Sequence, residues 1–348
     1  MTMTETAPSA ATEAPLPPFT VIVEWENAID VEDEWAKRAM TCFQDELERA
    51  HNRMTVKPRV MYLYDEGAVS ASTIDNVIDE VAPKLRTLAD IELVATPGLT
   101  YYKLKNYGVA RANTDFVIML DSDAGPQPGW LEGLLKPFAD PEMMAVGGFT
   151  VLGHEDFLSR TMALSWIFNL PSERKQTVKR KKIHANNCAF RGDFIRSNPF
   201  PDLPAFKKQC GFWLRDIDQR GFKWTRTADA MTIHAPHPGY KFLAWRAWTT
   251  GMDRDFQGYH TVTKSRLGRV GFAFQFFASK LFRSWKRIVT KGGEVGLPVW
   301  QRPFAMLVTL GFFGAALVGQ LQSALTRSFG PLPESPGART PPAAFVHG

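Results

Sequence analysis

The sequence predicts an α/β protein built on a mostly parallel sheet with helices on both faces. Short runs of β-branched and apolar residues recur along the first 120 or so positions, and stretches with helical apolar stripes separate them. Polar residues cluster directly after each run. An uninterrupted apolar run suits a parallel strand covered on both faces, whereas a half-exposed antiparallel strand would alternate. In open sheets of this kind ligands bind beyond the carboxyl ends of the strands.

Met1 to Pro18, rich in Ala, Thr and Pro, reads as a disordered lead-in. Phe19 to Val23 forms the first strand and leads into Glu24-Trp25-Glu26-Asn27. From about Val31 to His51, Trp35, Ala39, Cys42, Phe43 and Leu47 fall on one helical stripe. Arg59 to Tyr64 is a second strand, ending on Asp65-Glu66-Gly67, and Ser72 is placed to cap a helix toward Leu88. Ile91 to Ala95 is a third strand, and Thr100 opens a helix to about Ala112. Phe116 to Leu120, apolar throughout, runs straight into Asp121-Ser122-Asp123.

Composition narrows the class. With 45% hydrophobic residues, 348 positions hold ample core material for one large or two fused domains. The net charge of +5 is compatible with an anionic lipid surface and demands no nucleic acid. Cys42, Cys188 and Cys210 are widely spaced and form no CxxC pair, which argues against a disulfide framework or structural zinc and favours a reducing compartment. No cationic segment followed by an apolar run opens the chain, so no secretory signal is expected.

Two carboxylates one residue apart after a buried strand form a compact pair of hard oxygen ligands, suited to Mg2+ or Mn2+ together with substrate phosphates. A metal so placed can neutralise a diphosphate leaving group. The alternative is a solvated Asp turn. Here the pair is followed by Gly125-Pro126-Gln127-Pro128-Gly129-Trp130-Leu131, and the stretch from Lys105 to Gly148 resembles the inverting glycosyltransferases of family 2. The resemblance covers roughly Phe19 to Pro238. It includes Asn186 to Arg191, Phe200 to Asp202, and a closing segment that ends on His234.

The resemblance implies a GT-A fold, a Rossmann-like sheet followed here by amphipathic and hydrophobic C-terminal helices. It also assigns roles. Glu24, Glu26 and Asn27 occupy the nucleotide-facing end of strand one, and Asp65 the place of an acidic residue that contacts the base. Lys105 and Asn106 stand where the family contacts the nucleotide, Asp121 near the ribose and the metal, and Asp123 on the metal. His234 stands where some members supply a further metal or diphosphate ligand. Glu24 as a solvated strand end, Lys105 as a surface cation and His234 as a structural histidine remain the alternatives. His237 reads as a loop residue.

One part of the pattern is missing. An inverting transfer to a hydroxyl needs a general base, usually the Asp of a Glu-Asp pair opening a helix; here Gln209 and Cys210 occupy that position. Cys210 would need a cation such as Lys207 or Lys208 to lower its pKa. Asp218 lies two turns further along the helix. The base is therefore left unassigned, with Cys210 and Asp218 as the candidates this helix offers.

Gly271 to Val289 interleaves Phe272, Phe274, Phe276, Phe277, Phe282 and Trp285 with Lys280, Arg283, Lys286 and Arg287, preceded by Arg269. Such a helix suits the interface of an anionic leaflet, or a core with a basic face. Pro303 to Thr326 carries no charge and is long enough to span a bilayer; a buried or re-entrant helix is the alternative. The run from Lys179 to Lys182 faces lipid phosphates or forms a solvated loop.

The expected organisation is a lead-in to residue 18, a nucleotide-sugar half (19–150), an acceptor half (151–267), membrane-associating helices (268–327) and a flexible tail (328–348). The expected activity moves a sugar from a nucleotide-diphosphate donor to a lipid-linked or polysaccharide-precursor acceptor, with inversion, at the cytoplasmic face of a membrane. A catalytically silent binder of nucleotide sugar or a partner is the alternative. No nucleic-acid motif is present, and the cations lie beside apolar aromatics, so nucleic acid is not an expected partner.

Overall fold

The computed structural model describes residues 14–26, 33–174, 182–236 and 239–332. The first half runs β1 (Phe19–Glu24), α1 (Asp33–Ala50), β2 (Arg59–Tyr64), α2 (Ala71–Val81), α3 (Leu85–Leu88), β3 (Asp90–Ala95), α4 (Tyr101–Arg111) and β4 (Phe116–Asp121). It continues with β5 (Ala124–Pro126), α5 (Trp130–Leu135), β6 (Met143–Leu152), α6 (Phe157–Ser165), β7 (Asn187–Arg191) and α7 (Gly192–Ser197). Then come α8 (Gln209–Gln219), β8 (Lys223–His234) and three long helices, α9 (Gly239–Thr261), α10 (Arg266–Lys291) and α11 (Arg302–Thr326).

The strands form one eight-stranded sheet in the order β3-β2-β1-β4-β7-β6-β8-β5. The first four are parallel, joined by the βαβ crossovers that the alternation implies. Beyond β4 the sheet is mixed: β7 runs antiparallel to both β4 and β6, β8 parallel to β6, and β5 antiparallel to β8. The mostly parallel expectation therefore holds for one half. The other half takes its direction from long-range pairings that local spacing does not encode. Along β1, Val21 and Val23 face one core and Ile22 the other, so both faces are covered.

Two local expectations are corrected. Ser70, not Ser72, caps α2, its Oγ accepting from the Thr73 amide at 3.2 Å. That helix ends at Val81 because Pro83 has no N–H to continue it. Order begins before Phe19, since Leu16 is buried and bridges to Met54. Past residue 327, Phe329 packs on Phe256 and Tyr259 at 5.1 and 5.3 Å between ring centres.

The C-terminal helices pack together. A Cβ on Gly251 would fall 1.9 Å from the Ala316 carbonyl oxygen, and one on Gly319 2.2 Å from that of Trp248, so α9 and α11 cross backbone to backbone. Arg269 is no lipid-facing cation: it is buried, donating from Nε to Asp255 Oδ1 at 2.8 Å and to the carbonyls of Ser323 and Arg327, both at 3.0 Å. It thereby ties α9, α10 and the last turn of α11. Among the described residues one helix, Val299–Thr326, is long and apolar enough to cross a membrane. One of its faces packs inward through Ala305, Phe312, Phe313 and Ala316, while Phe304, Leu307, Val318 and Leu325 are exposed.

Candidate active site

β4 ends on Asp121, which lies opposite Glu24 of β1. Three residues later β5 pairs with β8, placing Ala124 opposite His234, and the Ala235 amide donates to the Asp123 carbonyl at 2.8 Å. Strand pairing thus brings two carboxylates and an imidazole from distant parts of the chain to one point. One ligand atom each from Asp121, Asp123 and His234 lies within 4.8 Å of the others, and all three residues are buried. His234 Nδ1 is 3.4 Å from Asp123 Oδ2.

Both carboxylate oxygens of Asp123 are buried without a hydrogen-bond partner. Burial without a partner is costly for a polar group, and more so for a charge. A hard divalent cation would satisfy both oxygens, and two carboxylates with one imidazole suit Mg2+ or Mn2+. Burial pushes the Asp123 carboxyl up to about 6, with His234 opposing and Asp121 reinforcing the rise.

Asp121 is held differently. Lys105 Nζ donates to it at 2.7 Å, and the Tyr101 hydroxyl lies 2.8 and 2.9 Å from its two oxygens. Burial would raise its pKa, but Lys105, Lys207 and His234 together outweigh that and hold the carboxyl below the usual range. Burial likewise opposes the Lys105 ammonium, yet Asp121 and Glu24 keep it charged. Glu24 is buried beside them, and burial and Asp121 push its carboxyl well above the ordinary range. It is not a solvated strand end. Lys207 lies over the Tyr101 ring at 3.3 Å, which brings a further cation to this corner.

Residues 73–197 match the sequence profile of Glycosyl transferase family 2. Over that segment, about a third of the chain, the protein is similar to glycosyltransferase family 2. A 42-residue stretch is 52% identical to the pre-mycofactocin glycosyltransferase of two Mycobacterium tuberculosis strains, covering 12% of this chain. The match spans 9% of the length of those relatives. The fold resembles that of the mannosyltransferase PcManGT from Pyrobaculum calidifontis, solved in complex with GDP-Man and Mn2+. The TM-score is 0.54 at 18% identity, over 90% of this chain and 88% of the other.

The remaining expected site residues divide. Asp65 is half-buried at the end of β2, where Oδ1 accepts from the Gly67 amide at 2.9 Å and Oδ2 from that of Gly98 at 3.4 Å. Asn106 uses both ends of its amide on Phe200, donating to its carbonyl at 2.8 Å and accepting from its N–H at 3.0 Å. It positions the Phe200 loop, and each end of the amide keeps one further hydrogen-bonding position. Glu26 is exposed and lines the central cavity. Asn27, His237 and Lys179 to Lys181 lie outside the described residues.

Gln209 and Cys210 both bond to nearby backbone. Gln209 donates to the Ala205 carbonyl at 2.7 Å and accepts from the Lys208 amide at 2.9 Å, bracing the start of α8. Cys210 Sγ donates to the Ile183 carbonyl at 2.8 Å, and burial pushes the thiol up to about 12. A thiol so raised stays protonated near neutral pH, the form least suited to act as a base. Asp218 is exposed and accepts from Trp224 Nε1 at 3.0 Å.

Sequence reasoning missed other parts. Tyr101 precedes Lys105 by four residues on α4, so both reach Asp121 from one helix face, and that spacing was a usable signal. Glu46 of α1 accepts from the amides of Gly129 and Leu131 at 3.0 and 3.2 Å, capping α5 where Gly129 turns through a φ of +86°. Arg246 of α9 and Trp166 line the cavity from distant segments, and no local pattern announces them.

Proposed function

We propose that this chain is a metal-dependent glycosyltransferase that takes its sugar from a nucleotide-diphosphate donor and transfers it with inversion. The observation that carries the reading is Asp123, whose two buried oxygens have no hydrogen-bond partner and which clusters with Asp121 and His234, two residues that line a large cavity. Those three residues would hold the metal, which would supply positive charge for the departing diphosphate. Lys105 and Tyr101 keep Asp121 ionised and oriented. Lys207 adds a cation where the diphosphate charge develops. Glu24, Glu26 and Asp65 lie on the nucleotide side at the carboxyl ends of β1 and β2. The Mn2+ and GDP-Man of the archaeal mannosyltransferase complex support this reading.

The acceptor, glycan or lipid-linked, is presented at an anionic membrane surface on the cytoplasmic side. The exposed aromatics of α10 and the apolar outer face of α11, beside Arg283 and Lys286, support that placement. A second reading, a catalytically silent binder, draws on Gln209 and Cys210 in place of the usual acidic pair. Purified protein with Mn2+, a panel of nucleotide sugars and a membrane lipid extract separates the two. The transferase reading expects a glycosylated lipid or glycan product; donor binding with neither transfer nor hydrolysis would favour the silent binder.

A further inference from the structure

Asp253 of α9 is 3% exposed and lines the same cavity as Asp121 and His234. Lys208, Arg246 and Arg254 line that cavity too. Burial lowers the pKa of all three cations, and the Asp253 carboxylate opposes that fall in each. Its hydrogen bonds nevertheless go elsewhere. Oδ1 accepts from the Phe206 amide at 2.7 Å and Oδ2 from the Lys207 amide at 3.0 Å. With cations at hand, both oxygens are engaged by two successive backbone amides of the segment before α8.

That segment is gripped at two further points. Trp245, about two turns before Asp253 on α9, packs edge-on against the Phe206 ring at 6.2 Å between centres. Gln209, at the start of α8, donates to the Ala205 carbonyl at 2.7 Å. Held in this way, the Lys207 ammonium lies over the Tyr101 ring at 3.3 Å, and Tyr101 in turn donates to Asp121. Among the described residues that ammonium has no hydrogen-bond or ion-pair partner. A lysine carries its charge on a flexible stem, so fixing the charge at one point depends on fixing the backbone it hangs from. A chain of contacts thus runs from α9 through Asp253 and Lys207 to Tyr101 and the carboxylate of Asp121.

We propose that Asp253 is the positioning residue for Lys207: by holding the Phe206 and Lys207 amides it fixes that ammonium over Tyr101, where the ammonium binds the diphosphate of the donor. This role rests on the transferase reading above and adds the residue that sets its cation in place. Asp253 acts through Lys207 and is not itself a catalytic residue. Electrostatics separates this role from a purely Coulombic one. A diphosphate is an anion, and Asp253 shares its cavity. If Asp253 acted only through its charge, removing that charge would favour anion binding. If it acts through Lys207, removing one acceptor oxygen frees the backbone, lets the ammonium leave the ring and weakens binding. The two roles therefore predict opposite signs for the same substitution.

The test uses the full chain with Mn2+ in detergent micelles and calorimetric titration of GDP and UDP. Lys207→Met is expected to weaken the nucleoside diphosphate that binds about tenfold or more, since a charge-assisted contact to phosphate is lost. Asp253→Asn keeps the shape of the side chain but exchanges one acceptor for a donor, and is expected to weaken the same nucleotide about fivefold or more. The double variant should bind no more weakly than Lys207→Met alone, because without Lys207 there is no ammonium left to position. Asp253→Ser is carried through the same cycle, with thermal unfolding followed for each protein, so the result does not hang on the folding of one variant. Additive losses, unchanged or tighter binding in the folded Asp253 variants, or unchanged affinity in Lys207→Met would overturn the assignment and leave the transferase reading standing. If the wild type binds no nucleoside diphosphate, the transferase reading fails and takes this proposal with it.

Discussion

Lys105 has no exposed surface, yet it remains charged because Asp121 and Glu24 face it. A buried pair of this kind contributes little net stability, but removing one partner leaves an uncompensated charge in a low-dielectric site. Lys105→Met is therefore expected to lower the unfolding free energy by about 3–5 kcal/mol, read from urea denaturation. A loss below about 1 kcal/mol would mean that Asp121 does not depend on that ammonium. Asp121 and Asp123 were legible in the sequence because one apolar strand and one short turn carry both. Tyr101 was within reach through its spacing from Lys105. The bond from Asn106 to the Phe200 backbone was not legible, because that partner is 94 residues away and invisible to local pattern.

At the scale of elements, the four parallel strands and α4 could be read from apolar runs and flanking caps, each signal being contained within a dozen residues. The mixed half could not, since β5 has only three residues and its direction follows from pairing with β8. The same holds for α10. Its amphipathic pattern was plain, but Arg269 could not be sorted from its lipid-facing neighbours, because its partner Asp255 and the carbonyls it caps lie on α9 and α11. The outward residues are Phe282 on α10 and Trp300 just before α11, 72% and 69% exposed. Inserting each ring into lipid contributes about 1.5–3 kcal/mol. The double variant Phe282→Ser, Trp300→Ser is expected to reduce co-sedimentation with vesicles containing anionic lipid about tenfold or more, with thermal unfolding unchanged. Undiminished sedimentation would remove these helices from the membrane contact.

Across the whole molecule, the sheet joins two chemistries at one place. Its parallel half ends in the carboxylates of β1, β2 and β4, and its mixed half returns His234 to them through β8. From that junction the cavity runs along α9, which itself packs against the helices that carry the exposed aromatics. Donor, metal and acceptor would then meet at the sheet's carboxyl edge, where open α/β sheets bind ligands. The central claim is that Asp123 holds a divalent cation required by the donor. Calorimetric titration of nucleotide sugars into the wild-type protein and Asp123→Ala, each with Mn2+ and again with EDTA, tests it most directly. The account predicts donor binding by the wild type only with Mn2+, and at least a tenfold weaker affinity in Asp123→Ala. Equal affinity in EDTA, or an unchanged affinity in the variant, would contradict it.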